Sequence, residues 1–458
     1  MGWDMRETLV KIEDFKDSPL GKIPEGWEVK PLREIADLQV GFAFKSEWFQ
    51  EHEGIRLLRG ENVGYGSPDW SETRRLPWKM CPNYQEYELV AGDIIIGMDR
   101  TFTKSGFKIS VLEPDDVPAL LVQRVGRFIP INCDHQFLKV LLNSQEYHHA
   151  LLAQQKGMDI PHLSKTEILE PVVAVPPVDE QRQIAEILNT IDSTIAHTSS
   201  LIAKLKLMKA GLLHDLLTRG LDENGELRDA IAYPEQFKDS PLGRIPKDWK
   251  IYNTGAIATI KYGINDAVDQ TLESGVLTIT LPCVSKTGEL TLHKELLALS
   301  ARHKVRDEDI LQAGDLLFNW RNGSQEHLGK TAYFKATGEY THVGFLLRIR
   351  ANSELCDSRY LWWRISYMKS EGLFLRAKSQ VNNTFNSEEL ANMRVIVPPI
   401  PEQQRIVKAL EPCEQRIRAE EAYRDKLKLQ KQGLMHDLLT GKVRVKDADK
   451  FTSASHTV

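Results

Sequence analysis

Two stretches of the chain carry apolar residues on alternating steps of four and three. In the first, Ile184, Leu188, Ile191, Ile195, Ile202, Leu205, Leu212 and Leu216 fill the seam, and only Thr198 and Lys209 interrupt it. In the second, Ile406, Leu410, Cys413, Ile417, Leu427, Leu434 and Leu438 fill it, with Glu420, Arg424 and Lys431 as the breaks. This spacing predicts coiled-coil helices. The first runs without proline from Glu180, behind Asp179 as its N-cap, to Leu217. At 1.5 Å per residue it is about 57 Å long. The second begins near Glu402. A helix of that length exceeds what one small domain covers, so the two are expected to pack on each other.

Elsewhere the pattern changes to short β-branched runs bounded by Gly and Asp. Residues 88–97 (ELVAGDIIIG), 277–281 (LTITL), 310–318 (ILQAGDLLF) and 345–349 (FLLRI) read as strands. Helical patterns at 134–154 and 357–376 intervene. A Val-Pro-Pro sequence at 175–177 closes a strand, because proline cannot continue one. The stretch before each long helix is thus expected to be an α+β domain.

These stretches are copies. Residues 15–27 (FKDSPLGKIPEGW) return at 237–249 as FKDSPLGRIPKDW, an offset of 222. The same offset carries VPPVDEQRQIAEIL (175–188) onto VPPIPEQQRIVKAL (397–410), and GLLHDLLT (211–218) onto GLMHDLLT (433–440). Ala91-Gly92-Asp93 lands on Ala313-Gly314-Asp315. Four matches at one offset mark a tandem duplication; solenoid repeats are several-fold shorter. Between the matches the halves diverge: residues 41–70 and 263–292 share only Gly41/Gly263, Glu51/Glu273 and Gly66/Gly288. Two modules on one frame, each recognising something different, would give this pattern. A pseudo-two-fold between the copies makes the helix contact self-complementary, and antiparallel if the axis crosses the helices.

Composition narrows the function. The 458 residues are 41% hydrophobic and 27% charged, with a net charge of −5. Any contact with nucleic acid must therefore come from local patches rather than bulk charge. No run of 18 apolar residues is present, so no membrane span is expected. The first residues are acidic and lack an apolar core, unlike a secretory signal. Five dispersed cysteines (Cys81, Cys133, Cys283, Cys356, Cys413) form no CxxC pair, which fits reduced thiols in a cytoplasm. P-loop, GxSxG, HExxH and EF-hand patterns are lacking, and neither Pro-Pro pair sits in the aromatic motif of amino-group methyltransferases. His214-Asp215 and His436-Asp437 read as helix-end residues, and His148-His149 as helix surface.

The basic residues gather in the divergent segments. In the first module Arg56, Arg59, Asn62, Arg74 and Arg75 lie among Tyr65, Trp70 and Trp78, and Arg100, Thr103, Lys104 and Lys108 follow the Ala-Gly-Asp strand. In the second, Lys286, Arg302 and Lys304 are followed by Arg321, Asn322, Gln325 and Lys330 in the equivalent loop. Arg suits guanine edges and Asn or Gln suits adenine, so these are candidate DNA-binding residues. The alternative is an ordinary solvated loop.

Two variable modules alternating with two near-identical helical segments, each opened by P-P-x-x-E-Q and closed by H-D-L-L-T, resemble the specificity subunit of type I restriction-modification enzymes. The resemblance runs from about residue 15 to 445. It implies an α+β chain of two pseudo-symmetric target recognition domains joined by two long helices packed as an antiparallel coiled coil. The corresponding boundaries are 1–174 for the first recognition domain, 175–220 for the central helical region and 221–236 for a linker. The second recognition domain is 237–396, the distal helical region 397–442 and the tail 443–458. The resemblance further implies a cytoplasmic, non-catalytic subunit with no catalytic or metal residues. It would read a split, non-palindromic site in double-stranded DNA, each domain taking one part. Its partners would be two methyltransferase subunits docked on the helices and restriction subunits recruited through them. S-adenosylmethionine, ATP and Mg would belong to those partners. A specificity subunit of a type IIB-like enzyme, or an unrecognised DNA methyltransferase or nuclease, is the alternative.

Overall fold

The computed structural model describes residues 9–11, 14–99, 102–103, 106–153, 162–265, 274–285, 288–321, 327–376 and 385–445. The duplication in sequence is a duplication in structure. One unit holds Met1–Ser199 with Ala422–Val458, the other Ser200–Glu421.

In the first unit an antiparallel sheet runs Ile109–Val111, Ile94–Gly97, Val125–Pro130, Ala36–Val40. The second unit repeats the order with Thr331–Tyr333, Leu316–Asn319, Leu346–Ala351 and Ala258–Tyr262. Each unit adds a second sheet around one parallel pair: Ile55–Leu58 with Ala119–Leu121, and Val276–Ile279 with Tyr340–His342. Strands in both sheets alternate or bury whole faces, and Leu38, Ile94, Ile96 and Phe128 or Leu316, Phe318, Leu347 and Ile349 form the sheet side of each core.

The predicted strand 88–97 is interrupted. Gly92 takes a φ of 93°, open to glycine and strained for other residues, and the Asp93 carboxylate accepts from Val90 N at 2.9 Å. The strand proper is Ile94–Gly97. Gly314 (φ 98°) and Asp315, accepting from Gln312 N at 2.8 Å, repeat the device. Likewise the helical stretch 134–154 splits into His135–Leu142 and Gln145–Ala153, and 357–376 into Ser358–Ser370 and Leu373–Arg376. Asp134 and Asp357 cap the two leading helices through backbone N–H groups two and three residues on. His148 is half-buried rather than on the surface, bonded to Leu142 O at 2.9 Å and stacked on Phe107.

The long helices are Val178–Thr218 and Ile400–Leu439. Each starts ahead of the residue the sequence suggested, because the Pro177 and Pro399 carbonyls already accept from Gln181 N and Gln403 N. In the first unit Ile184 and Leu188 share a core with Leu438 and Leu439. In the second unit Leu213 and Leu216 share one with Ile406 and Leu410. The start of one helix meets the end of the other in both units, so the packing is antiparallel. Two seam breaks are ion pairs: Lys431 reaches Asp192 at 2.6 Å, and Lys209 pairs with Glu414. Lys431 is Lys209 plus 222 and Glu414 is Asp192 plus 222, so the two pairs are one contact made twice, as a self-complementary interface requires. Pro412 sits inside the second helix on its exposed face, where the carbonyl it leaves unbonded can meet water.

The P-P-x-x-E-Q motif is a joint. Trp27 and Trp249, which end the repeated opening segments, are fully buried. Trp27 Nε1 donates to Glu180 Oε2 at 2.9 Å, and Trp249 Nε1 to Glu402 Oε2 at 3.0 Å. Each carboxylate also holds an arginine from just beyond a long helix, Arg444 on Glu180 and Arg228 on Glu402. The adjacent glutamines, Gln181 and Gln403, accept from Asp134 N and Asp357 N at 2.9 and 2.7 Å. Gly220 (φ 69°) closes the second joint; a methyl there would lie 2.2 Å from Glu402 Oε1 and 2.4 Å from the Trp249 ring. His214 Nδ1 meets the Tyr367 hydroxyl at 2.8 Å and His436 Nδ1 meets Glu146 Oε1 at 2.6 Å, so both tie a helix end to its own unit.

Candidate nucleic-acid interface

Most of the described basic residues singled out in the sequence hold their own loops together. Asn62 is 1% exposed, accepts from Arg59 N, and donates to Asp69 O (2.9 Å) and Glu72 O (3.3 Å), so it staples residues 59–72 and presents nothing outward. Arg59 Nη2 donates to Glu72 O at 2.6 Å and its guanidinium pairs with Glu61. Arg56 Nη2 reaches Asp115 O at 2.7 Å while its guanidinium lies over Trp70, whose Nε1 donates to Asp116. Arg74 pairs with Glu51, and Arg75 Nη1 donates to Gly54 O at 3.1 Å. Lys108 Nζ is 3.4 Å from Gly60 O. In the second unit Arg302 is engaged by Val305 O (2.7 Å), Asp307 and Glu339. Lys330 is 6% exposed, a correction to its reading as a candidate DNA-binding residue, since a buried side chain presents no charge to DNA. Lys304 is exposed. Arg100, Lys104, Lys286, Asn322 and Gln325 lie outside the described residues. So does the side chain of Thr103, whose backbone is in the strand Phe102–Thr103.

The duplicated strands after Ala-Gly-Asp end in duplicated tips. Met98 O accepts from Leu163 N at 2.9 Å, and Trp320 O accepts from Phe385 N at 2.8 Å, the same bond 222 residues on. The side chains at the tips differ. In the first unit Asp99 gathers Arg124 Nη1 on Oδ2 (2.8 Å) and His162 Nδ1 on Oδ1 (2.6 Å). Burial opposes the Asp99 charge, but the hydrogen bonds from Arg124 and His162 outweigh it and hold the carboxyl below the usual range. In the second unit Trp320 Nε1 donates to Gly344 O at 2.7 Å and packs edge-on against Tyr262. Arg321 is exposed there, its guanidinium 6.0 Å from the centre of the Phe345 ring. Phe345 is 48% and Tyr262 40% exposed.

One tip thus presents an arginine paired with a carboxylate beside a histidine, and the other an arginine among exposed aromatic rings. A guanidinium can donate to the paired acceptors of guanine, and an exposed ring can contact a thymine methyl. Of these tip residues, sequence reasoning found Arg321. It missed Arg124, His162, Tyr262 and Phe345, which are far from the Ala-Gly-Asp strand in sequence. Aligning the turns VQRVG (122–126) and VGFLL (343–347) beside that strand would have found Arg124 and Phe345; no local signal marks His162 or Tyr262. Among the described residues no group of three or more metal-ligating side chains occurs, and no helix is long and apolar enough to cross a membrane.

The family profile for the type I restriction modification DNA specificity domain matches residues 24–207 and again 246–429, both copies of the repeat. A type I restriction enzyme specificity subunit of Methanocaldococcus jannaschii, MjaVIII, is 35% identical over 208 residues, 45% of this chain and 49% of that protein, so the match spans about half its length. The putative MjaX specificity subunit of the same organism is 24% identical over 450 residues, 95% of this chain and 98% of that one. The S subunit of a type I restriction-modification system from M. genitalium shares the fold, with a TM-score of 0.56 and 14% identity over 90% of this chain and 96% of that one.

Proposed function

The chain belongs to the family of type I restriction modification DNA specificity domains, and from that premise we propose that it is the non-catalytic subunit that chooses the DNA target of a restriction-modification complex. The observation that carries this reading is the pair of tips: the same strand and the same backbone bond in each half, carrying different side chains. A reader of one palindromic sequence would need like tips. Unlike tips suit a split, non-palindromic site in double-stranded DNA, one part for each domain. The helices set the separation and carry two methyltransferase subunits, through which restriction subunits join. Support comes from apolar residues that the helices leave exposed at repeated positions, Leu201 with Tyr423 and Leu207 with Leu429, each pair 222 apart. Two equivalent patches fit two copies of one partner. S-adenosylmethionine, ATP and Mg serve the partners, and the complex works in the cytoplasm.

The test is a chain in which residues 237–396 are replaced by a second copy of the first recognition domain. Methylation mapping in cells carrying it with its partners should show a palindromic split site built from one half of the original. A contiguous or unchanged target would refute the reading.

A further inference from the structure

Arg124 departs from the other basic residues in three ways. Its backbone φ is 63°, a left-handed conformation that side-chain-bearing residues seldom take and that concentrates at functional positions. Its carbonyl accepts from Met98 N at 2.9 Å, which locks the turn onto the tip of the first unit. Its side chain is 64% exposed, yet it is held in one orientation by Asp99 through Nη1. Among the described residues nothing engages Nε or Nη2. The second Asp99 oxygen is occupied by His162, so the carboxylate cannot swing away freely.

Resting on the DNA-reading function above, we propose that Arg124 is a specificity-determining residue that reads a guanine in the half-site of the first recognition domain, with Asp99 as its positioning residue. The charge balance favours a base over a phosphate. Asp99 cancels the guanidinium charge at contact distance, which weakens the pull toward a phosphate, a contact that depends on net positive charge. The same bond presents the remaining donors as a fixed fork, and the O6/N7 edge of guanine is the neutral acceptor pair that such a fork fits. By strand pairing Leu346, opposite Asn319, corresponds to Val125, opposite Gly97, so the exposed Phe345 stands at the place of Arg124 and this contact belongs to one half-site only.

The full chain, assembled with its methyltransferase subunits, would be presented with a randomised duplex pool, and the bound sequences read. Arg124→Ala should abolish the preference for guanine at one position of one half-site and leave the other half-site unchanged, which also shows that the variant is folded. Affinity for the wild-type sequence should fall about 5–150-fold. Arg124→Lys keeps the charge without the fork and should fail at the same position. Asp99→Asn should relax that position in part. Equal loss on every duplex, with a salt dependence reduced by about one phosphate, would make Arg124 a phosphate contact and overturn the proposal, as would an unaltered preference. A wild-type complex that selects no split site would instead overturn the DNA-reading function on which it rests.

Discussion

Replacing Glu402 with alanine should loosen the second recognition domain from its helix more than any surface change nearby. The Glu402 side chain is 2% exposed, and four donors converge on it. Oε1 accepts from Leu221 N at 2.9 Å and Arg228 Nη1 at 2.5 Å; Oε2 accepts from Trp249 Nε1 and Arg228 Nη2, both at 3.0 Å. Arg228 is itself only 11% exposed. Alanine leaves that guanidinium buried without its main counter-charge, which costs roughly 3–5 kcal/mol. Two further buried donors lose their acceptor at about 1–3 kcal/mol each. Asp248, 3.5 Å from Arg228, offers partial compensation, so the net is about 5 kcal/mol rather than the sum. Glu180→Ala is the internal comparison: its arginine, Arg444, is 39% exposed and can turn to water, leaving about 3 kcal/mol, mainly from the stranded Trp27 N–H. Hydrogen exchange of the backbone around Trp249 and Trp27 reads each joint separately. The difference of about 2 kcal/mol corresponds to a roughly 30-fold greater loss of protection at Trp249. Glu402→Gln, which keeps the shape and loses the charge, should fall between wild type and alanine. Equal losses at the two joints, or a glutamine variant as protected as wild type, would show that the buried charge does not carry the joint.

The other expectations concern stability. His342 is 1% exposed, and burial, reinforced by the Arg348 charge, lowers its pKa to about 4. Between pH 6.5 and about 4 the unfolded chain takes up a proton that the folded one refuses, so stability is lost as pH falls, by up to about 3 kcal/mol. His342→Leu should flatten the urea midpoint across that window, and an unchanged slope would count against it. Pro412→Ala restores a helix hydrogen bond on an exposed face and should raise the unfolding free energy by about 1–3 kcal/mol, the interior-proline penalty less any relief the bend already gives. A lower midpoint would mean that the bend is needed for packing.

The frame of this molecule was readable because it is periodic or repeated. The seam from Ile184 to Leu216 lies on the buried side of its helix, and the 222-residue offset returns as the same strand order in the main sheet of each unit. What escaped were relations that no local pattern encodes. The strand at 88–97 looked continuous because Gly92 and Asp93 act through a backbone turn, not through their apolarity. Arg74 looked free for DNA because Glu51, its partner, is remote in sequence, and the acceptors of Arg56 and Arg75 are backbone carbonyls that every sequence contains. Glu180 and Glu402 were read as first-turn helix residues, the place where their local chemistry puts them. Their partners at Trp27, Arg444, Trp249 and Arg228 meet them only in the fold. Arg124 was invisible for the same reason: its significance comes from the tip it joins.

The joint also bears on how such proteins diversify. Each recognition domain is bound to its frame through a few fixed points: a tryptophan at its start, a capping aspartate at its leading helix, and a strand that runs into Pro-Pro. None of these lies in a tip. A foreign domain bounded by the same points would find the waiting glutamate and glutamine already in position. Under the proposed function, new target sequences would therefore arise by exchange of whole cassettes, without a passage through half-adapted intermediates. Because the frame offers two such sockets, a small stock of cassettes would then yield a number of paired targets that grows as its square.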